Sequence, residues 1–269
     1  MFKNVFLMDC RRCFSVRMFI IIIMVSVILI LSNLTSIWMD LQYIINGGER
    51  EHINGIVQIL SSTLVFDKFK LILVFLMAGI YTNSFCADDS SHYLRMILSR
   101  TDATTYTQSR FLANTVSIIA ASVSGFLLTT LLLSLFFPIT RLDGEYYGYY
   151  YVLAMDFPLL YIVIMGIQFG LVVAACCSIG LLFSTFQANK FVSIALPGFV
   201  FFLAVSYISG ESVFDVLALV AMAPSFIKSF EGAHTVNLIW GILYPVIIIV
   251  MCAYFFYRRL KWRQENGNV

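Results

Sequence analysis

The sequence predicts an all-α integral membrane protein, and three observations carry that prediction: scarce charge, long apolar runs at helix-spanning length, and basic residues gathered on one side. Of 269 residues, 60% are hydrophobic and 12% charged, and the mean hydropathy is +0.89. A soluble domain carries about a quarter charged residues, so lipid must solvate much of this chain. The apolar runs number six, at 18–38, 70–86, 111–137, 158–184, 191–209 and 238–257. A helix of about 20 residues crosses a hydrocarbon core of about 30 Å. The two longest runs exceed that and predict tilt or projection beyond the membrane.

The first run, at 21 residues, is longer than a signal-peptide core and lacks a small-residue cleavage site after it, so it reads as a retained span. Before it, residues 1–17 mix Phe2, Val5, Phe6 and Met8 with Lys3, Arg11 and Arg12. That pattern predicts a basic amphipathic helix lying on the inner leaflet.

With six spans, one side receives both termini, residues 87–110 and the short connection 187–190. That side holds Lys3, Arg11, Arg12, Arg17, Arg95, Arg100, Arg110, Lys190, Arg258, Arg259, Lys261 and Arg263, whereas Arg50, Arg141 and Lys228 fall opposite. Lys68 and Lys70 lie near a span end. The excess assigns the basic side, and both termini, to the cytoplasm. The stretch 211–230 contains a ten-residue apolar core at 213–222 with Asp215 inside and Pro224 after it. This suits a re-entrant or interfacial helix between spans five and six better than a seventh span.

The chemistry-bearing residues are few. His52, His92 and His234 all fall in loops, and neither a zinc-protease helix motif nor a phosphate-binding Gly-Lys-Ser occurs. The predicted span interiors carry no Asp, Glu, Lys, Arg or His, which argues against ion-driven transport. No cofactor, metal site or nucleic-acid surface is predicted, and no catalytic residue. Cys10 and Cys13 have redox or zinc spacing but no second pair nearby, and read as coincidence. Small residues recur every fourth position in two spans: Ala113, Ser117, Ala121, Gly125 and Thr129, then Gly166, Gly170, Ala174 and Ser178. Such rows bring helix backbones together in lipid; with Gln168 and Asn114 they serve packing or line a passage. Pro197 and Pro245 predict bends.

Residues 87–110 are the most informative stretch. Asp88, Asp89 and Ser90 can cap a helix. Tyr93, Leu94, Ile97 and Leu98 share a face, and Thr101 or Asp102 can cap the next helix. The expectation is a short helix over 88–100, apolar on one side, lying across the mouth of two spans and able to dock a soluble partner.

Here the sequence resembles the type-2 ABC transporter permease family. The matching positions are Asp88 or Asp89, Ser90-Ser91, Leu98-Ser99, Tyr106 and Arg110-Phe111. Thr101 stands where the family's turn has proline, and Thr104 stands where it has a basic residue. The resemblance also covers the whole layout: entry helix, six spans, short cytoplasmic loops and a re-entrant element. It implies a non-catalytic permease subunit in the cell membrane, paired with a second permease subunit and with separate cytoplasmic ATPases. Asp88, Asp89, Tyr93, Leu94, Arg95, Ile97, Leu98 and Arg100 would then form the coupling helix. The short connection 183–190 lacks an importer's long loop and favours export. The alternatives are a secondary transporter or channel, or an accessory or immunity membrane protein without transport.

A tyrosine-rich outer loop, with Tyr146, Tyr147, Tyr149, Tyr150 and Tyr151, predicts an outer-leaflet anchor.

Overall fold

In the computed structural model the chain is helical and free of strands over the described residues, which are 2–47, 54–66, 69–139, 156–207 and 234–266. The predicted helix at 211–230 and most of the tyrosine-rich loop lie outside them. The helices, in order, are α1 (Phe2–Cys13), α2 (Val16–Ser32), α3 (Leu34–Ile45), α4 (Ile56–Phe66), α5 (Lys70–Tyr81) and α6 (Ser84–Ser90). There follow α7 (Tyr93–Leu98), α8 (Ala103–Leu133), α9 (Pro158–Ser184), α10 (Lys190–Tyr207) and α11 (His234–Glu265).

Four stretches are long and apolar enough to cross a membrane: Lys70–Ser90, Ala103–Leu133, Pro158–Ser184 and Gly241–Glu265. The bent pair α1 and α2, with 53° between its halves, makes a fifth if it is one span. Lys190–Ala204 is a shorter apolar helix. The protein is an all-α, multi-pass membrane protein.

Several boundaries differ from the apolar runs for identifiable reasons. The first run breaks at Asn33, whose amide donates to the Leu29 carbonyl at 3.2 Å and to the Thr63 hydroxyl of α4. A buried Ser32–Asn33–Thr63 cluster therefore ends α2 and anchors α4, an apolar helix not foreseen from sequence. The first free amides of α4 find carbonyls after α8: Ile56 donates to Pro138 at 3.0 Å and Val57 to Ile139 at 3.2 Å. The second run breaks at Thr82–Asn83, where Ser193 of α10 donates to the Thr82 carbonyl at 2.8 Å. The third begins eight residues before the predicted 111 and, at 31 residues, is about 46 Å long. That is about 16 Å longer than a hydrocarbon layer of about 30 Å requires.

The centre of the bundle is α8 against α9; α2 packs on α8, α10 packs on α9 and α5, and α11 packs on both central helices. Close approach is set by glycine. A Cβ at Gly166 would stand 3.1 Å from the Val123 Cα, and one at Gly170 would stand 3.0 Å from the Ile119 Cα. At Gly125 it would meet Val25 of α2, and at Gly180 it would stand 2.7 Å from the Ser193 carbonyl oxygen, beside the Pro197 ring. In lipid, where burial of apolar surface gains little, such contact is the main source of helix association.

Candidate functional site

At one end of the bundle the ends of α1 and α5, the start of α8, the short helices α6 and α7, and the end of α11 gather around a buried charge. Arg110, two turns into α8, is fully buried. Its guanidinium donates to the Asp88 carboxylate of α6 and to the Tyr81 hydroxyl of α5. It also lies 3.5 Å from the Asp9 carboxylate of α1. Its plane sits over the rings of Tyr106, 4.9 Å away, and Tyr81, 5.3 Å away.

The two carboxylates are held on their other sides. The Tyr106 hydroxyl donates to Asp88 at 3.1 Å, and Arg12 of α1 reaches Asp88 at 3.1 Å while lying over the Tyr93 ring. The Ser109 hydroxyl donates to Asp9. Asp9 and Asp88 against Arg110 and Arg12 sum to zero, so the cluster is neutral as a whole. Only Arg12, with 40% of its side chain exposed, touches solvent. A guanidinium can bridge several oxygens at once through its planar fork, and here it joins α1, α5 and α6 to α8. The Asp89 carboxylate, one residue on, takes both contacts from Arg263 of α11 at 3.0 and 3.3 Å.

The expected coupling helix over 88–100 is two helices. Ser90 and Ser91 donate back to the Ala87 carbonyl at 3.1 and 2.8 Å, closing α6. His92 then adopts a left-handed conformation, φ 57°, and α7 begins at Tyr93. Asp88, Asp89 and Ser90 therefore lie inside α6 and do not cap the next helix. Asp102 occupies the N-cap position of α8 without a side-chain capping bond.

The apolar face of α7 is covered by the chain itself. Leu94 and Ile97 are buried against Phe85, Tyr106, Phe111, Leu181, Phe256 and Leu260, with Tyr93 and Leu98 half-buried at the edge. Phe256 stands edge-on to Phe85 and to Phe111, each at 5.3 Å between centroids. What α7 presents outward is Arg95, Met96, Ser99 and Arg100.

The small-residue set lies within helix contacts. Ser117, Ala121, Gly125 and Ala174 are buried in the bundle, and the Ser117 hydroxyl donates to the Asn114 carbonyl at 3.0 Å. Gly166 and Gly170 face α8, and Gln168 is buried beside them. A recess of about 300 Å³ between α9, α10 and α11 is lined by Cys176, Phe201, Tyr244 and Pro245 among others, and by none of these seven. The Asn114 amide, one turn beyond Arg110, is fully buried and has no hydrogen-bond partner among the described residues.

Cys10 and Cys13 serve α1 as packing residues. The Cys13 thiol points at the Ala113 carbonyl, 3.8 Å away. Burial raises the Cys10 thiol above its ordinary range, with the Asp9 charge adding to it, which disfavours a reactive thiolate.

Sequence reasoning did not find Asp9 or Arg110 as partners. The signal available was Asp9 at the i+4 spacing from Val5 and i−4 from Cys13, one inward stripe of α1. The chain matches no protein-family model, and neither a curated protein nor a solved structure is similar to it at a significant level.

Proposed function

We propose that the chain is the membrane-spanning subunit of an ATP-driven exporter, a permease of the type-2 ABC class working as a dimer with separate cytoplasmic ATPases. The observation that carries this reading is the mounting of α6 and α7. They are fastened to the rest of the bundle by the Asp88–Arg110 and Asp89–Arg263 pairs and by the Leu94–Ile97 face. A push on the outward residues Arg95, Met96, Ser99 and Arg100 is then transmitted to α5, α8 and α11 together. The resemblance of residues 88–111 to the family's loop supports the same role.

In this reading the membrane topology has six spans, with α1 on the inner leaflet, α2 as the first span and α10 as the fifth. Both termini are cytoplasmic in the cell membrane. The basic rim agrees with that orientation: Arg12, Arg259 and Arg263 meet Asp88, Phe186 and Asp89 at one end of the bundle.

The buried Arg110 gives a specific reason to weigh an ion-coupled transporter. It lies only about 10 Å from the start of α8 and is held by two carboxylates and a tyrosine, with its Nε left without a hydrogen-bond partner among the described residues. Coupling sites lie near mid-membrane and must open to bind and release, so the network is read as a fastening. Affinity purification of the tagged full chain from its native membrane separates the readings. Co-purification of an ATP-hydrolysing subunit supports the exporter, and its absence together with ion-gradient-dependent solute flux supports the alternative.

A further inference from the structure

The basic residues near the end of α11 divide into two pairs. Arg259 stacks over Phe186 at 4.9 Å and Trp262 at 4.1 Å, and Arg263 pairs with Asp89. Arg258 and Lys261 meet no carboxylate or ring among the described residues, and both are exposed. They fall one turn apart and line the same recess, of about 420 Å³, with Tyr254, Tyr257 and Trp262. Glu265 closes its outer end.

A second recess of about 360 Å³ adjoins it along α11 and shares Tyr254 and Tyr257. Its other walls are Val250 and Ala253 of α11 and Thr104, Thr107 and Gln108 of α8. Together they form one groove, with a cationic, aromatic outer half on the surface of α11 and a largely apolar inner half between α11 and the start of α8.

From this geometry we propose that the cleft binds an anionic phospholipid of the leaflet on the basic side. The headgroup phosphate sits between Arg258 and Lys261 and is flanked by the tyrosine hydroxyls. One acyl chain follows Val250 and Ala253 along α11. Charge complementarity selects the occupant. Two cations without partners among the described residues, beside an apolar channel, match a molecule that is anionic at one end and a hydrocarbon at the other. Aromatic side chains at the junction suit the headgroup level, where ring and hydroxyl face different media. Glu265, four residues beyond Lys261, repels an anion at the outer end and leaves the Arg258 side as the seat.

Each cation near an anionic bilayer surface contributes about fivefold in partition. The Arg258→Gln/Lys261→Gln variant should therefore lose about 20- to 30-fold in selectivity. The test uses the full chain with Trp38→Phe and Trp240→Phe, so that Trp262 is the single reporter. It is reconstituted into phosphatidylcholine vesicles containing brominated phosphatidylglycerol or, in parallel, brominated phosphatidylcholine. Quenching of Trp262 at an about 20- to 30-fold lower mole fraction of the anionic lipid, with that preference lost in the double variant, is the expected result. Equal quenching by both lipids in the parent, or an unchanged preference in the variant, overturns the proposal. Relief of the quenching by millimolar inorganic phosphate would identify a phosphate site without lipid selectivity, and that also overturns it. The double variant's gel-filtration profile and helical circular dichroism must match the parent, which the exposure of both side chains leads us to expect. None of these outcomes depends on the transport reading.

Discussion

Replacing Arg110 by methionine should destabilise the bundle by about 3–5 kcal/mol, the usual cost of breaking a buried ion pair by removing one partner. The cluster is neutral with Arg110 present; without it, Asp9 and Asp88 face only Arg12, leaving one carboxylate charge uncompensated. The Tyr81 hydroxyl loses its donor partner at the same time. Both carboxylate side chains are at most 5% exposed, so water cannot take over the role. Arg110→Lys should recover only part of the loss, because an ammonium cannot reach Asp9, Asp88 and Tyr81 in one plane. The informative comparison is the triple variant Asp9→Leu/Asp88→Leu/Arg110→Met. Replacing all members of a buried network by apolar groups is often neutral, so the triple variant should be more stable than Arg110→Met alone. The assay is the thermal midpoint of the detergent-purified chain followed by fluorescence-detected gel filtration. A loss of roughly 10 °C is expected for Arg110→Met. An unchanged midpoint for Arg110→Met, or a triple variant worse than the sum of its parts, refutes the reasoning.

Glycine substitutions should separate by what their Cβ meets. Gly180→Ala presses on the Ser193 carbonyl and the buried turn at Pro197 and should cost about 1–3 kcal/mol. Gly79→Ala meets nothing within 4 Å and should be neutral or gain up to about 1 kcal/mol; the same thermal midpoint reads both. On α7, Leu94→Glu buries a charge against Phe85 and Phe256 and should abolish folded monodisperse protein. Met96→Glu, at 59% exposure, should leave the thermal midpoint unchanged and weaken ATPase co-purification; unaltered association would remove α7 as the docking element. Leu98, half-buried in the same cluster, should behave between these two, with Leu98→Glu reducing both stability and association. A reporter fused after Val269 should read as cytoplasmic, and an external signal would overturn the six-span arrangement.

The helices that long apolar runs define were legible from composition, because a run of 27 residues such as Pro158–Ser184 has no competing conformation in lipid. The breaks were not legible, and the reason is tertiary. Asn33 ends α2 only because Thr63 is there to accept its amide, and the gap at Thr82 is tolerable only because Ser193 reaches its carbonyl. Partners 30 and 111 residues away leave no mark in a window of hydropathy. α4 was missed for a related cause. Eleven residues are too few to span, and its stability comes from burial of Ile56, Val57 and Leu60 against neighbouring helices.

The charged site shows why a one-sided count of Lys and Arg is a weak guide to which cations are available to a partner. The count treats Arg12, Arg110, Arg258, Arg259, Lys261 and Arg263 alike. In the folded chain Arg110 is sealed between two aspartates, Arg12 leans on Asp88 and Tyr93, and Arg259 and Arg263 are taken by Phe186, Trp262 and Asp89. Acidic residues are what sort them. From the sequence of residues 1–17 Asp9 has no role, and Asp88 and Asp89 are expected as helix caps. Each instead selects one arginine and removes it from the surface. A carboxylate among cations at the foot of a bundle is expensive to bury, and it persists there because it specifies which helices meet. Positional specificity of that kind predicts that exchanging Asp88 and Arg110, as Asp88→Arg/Arg110→Asp, fails to restore stability. The swapped arginine would face Arg12, and the swapped aspartate would face Asp9. A thermal midpoint near wild type for the exchanged pair would show that the local pair, and not the four-group arrangement, holds α1 and α6 to α8.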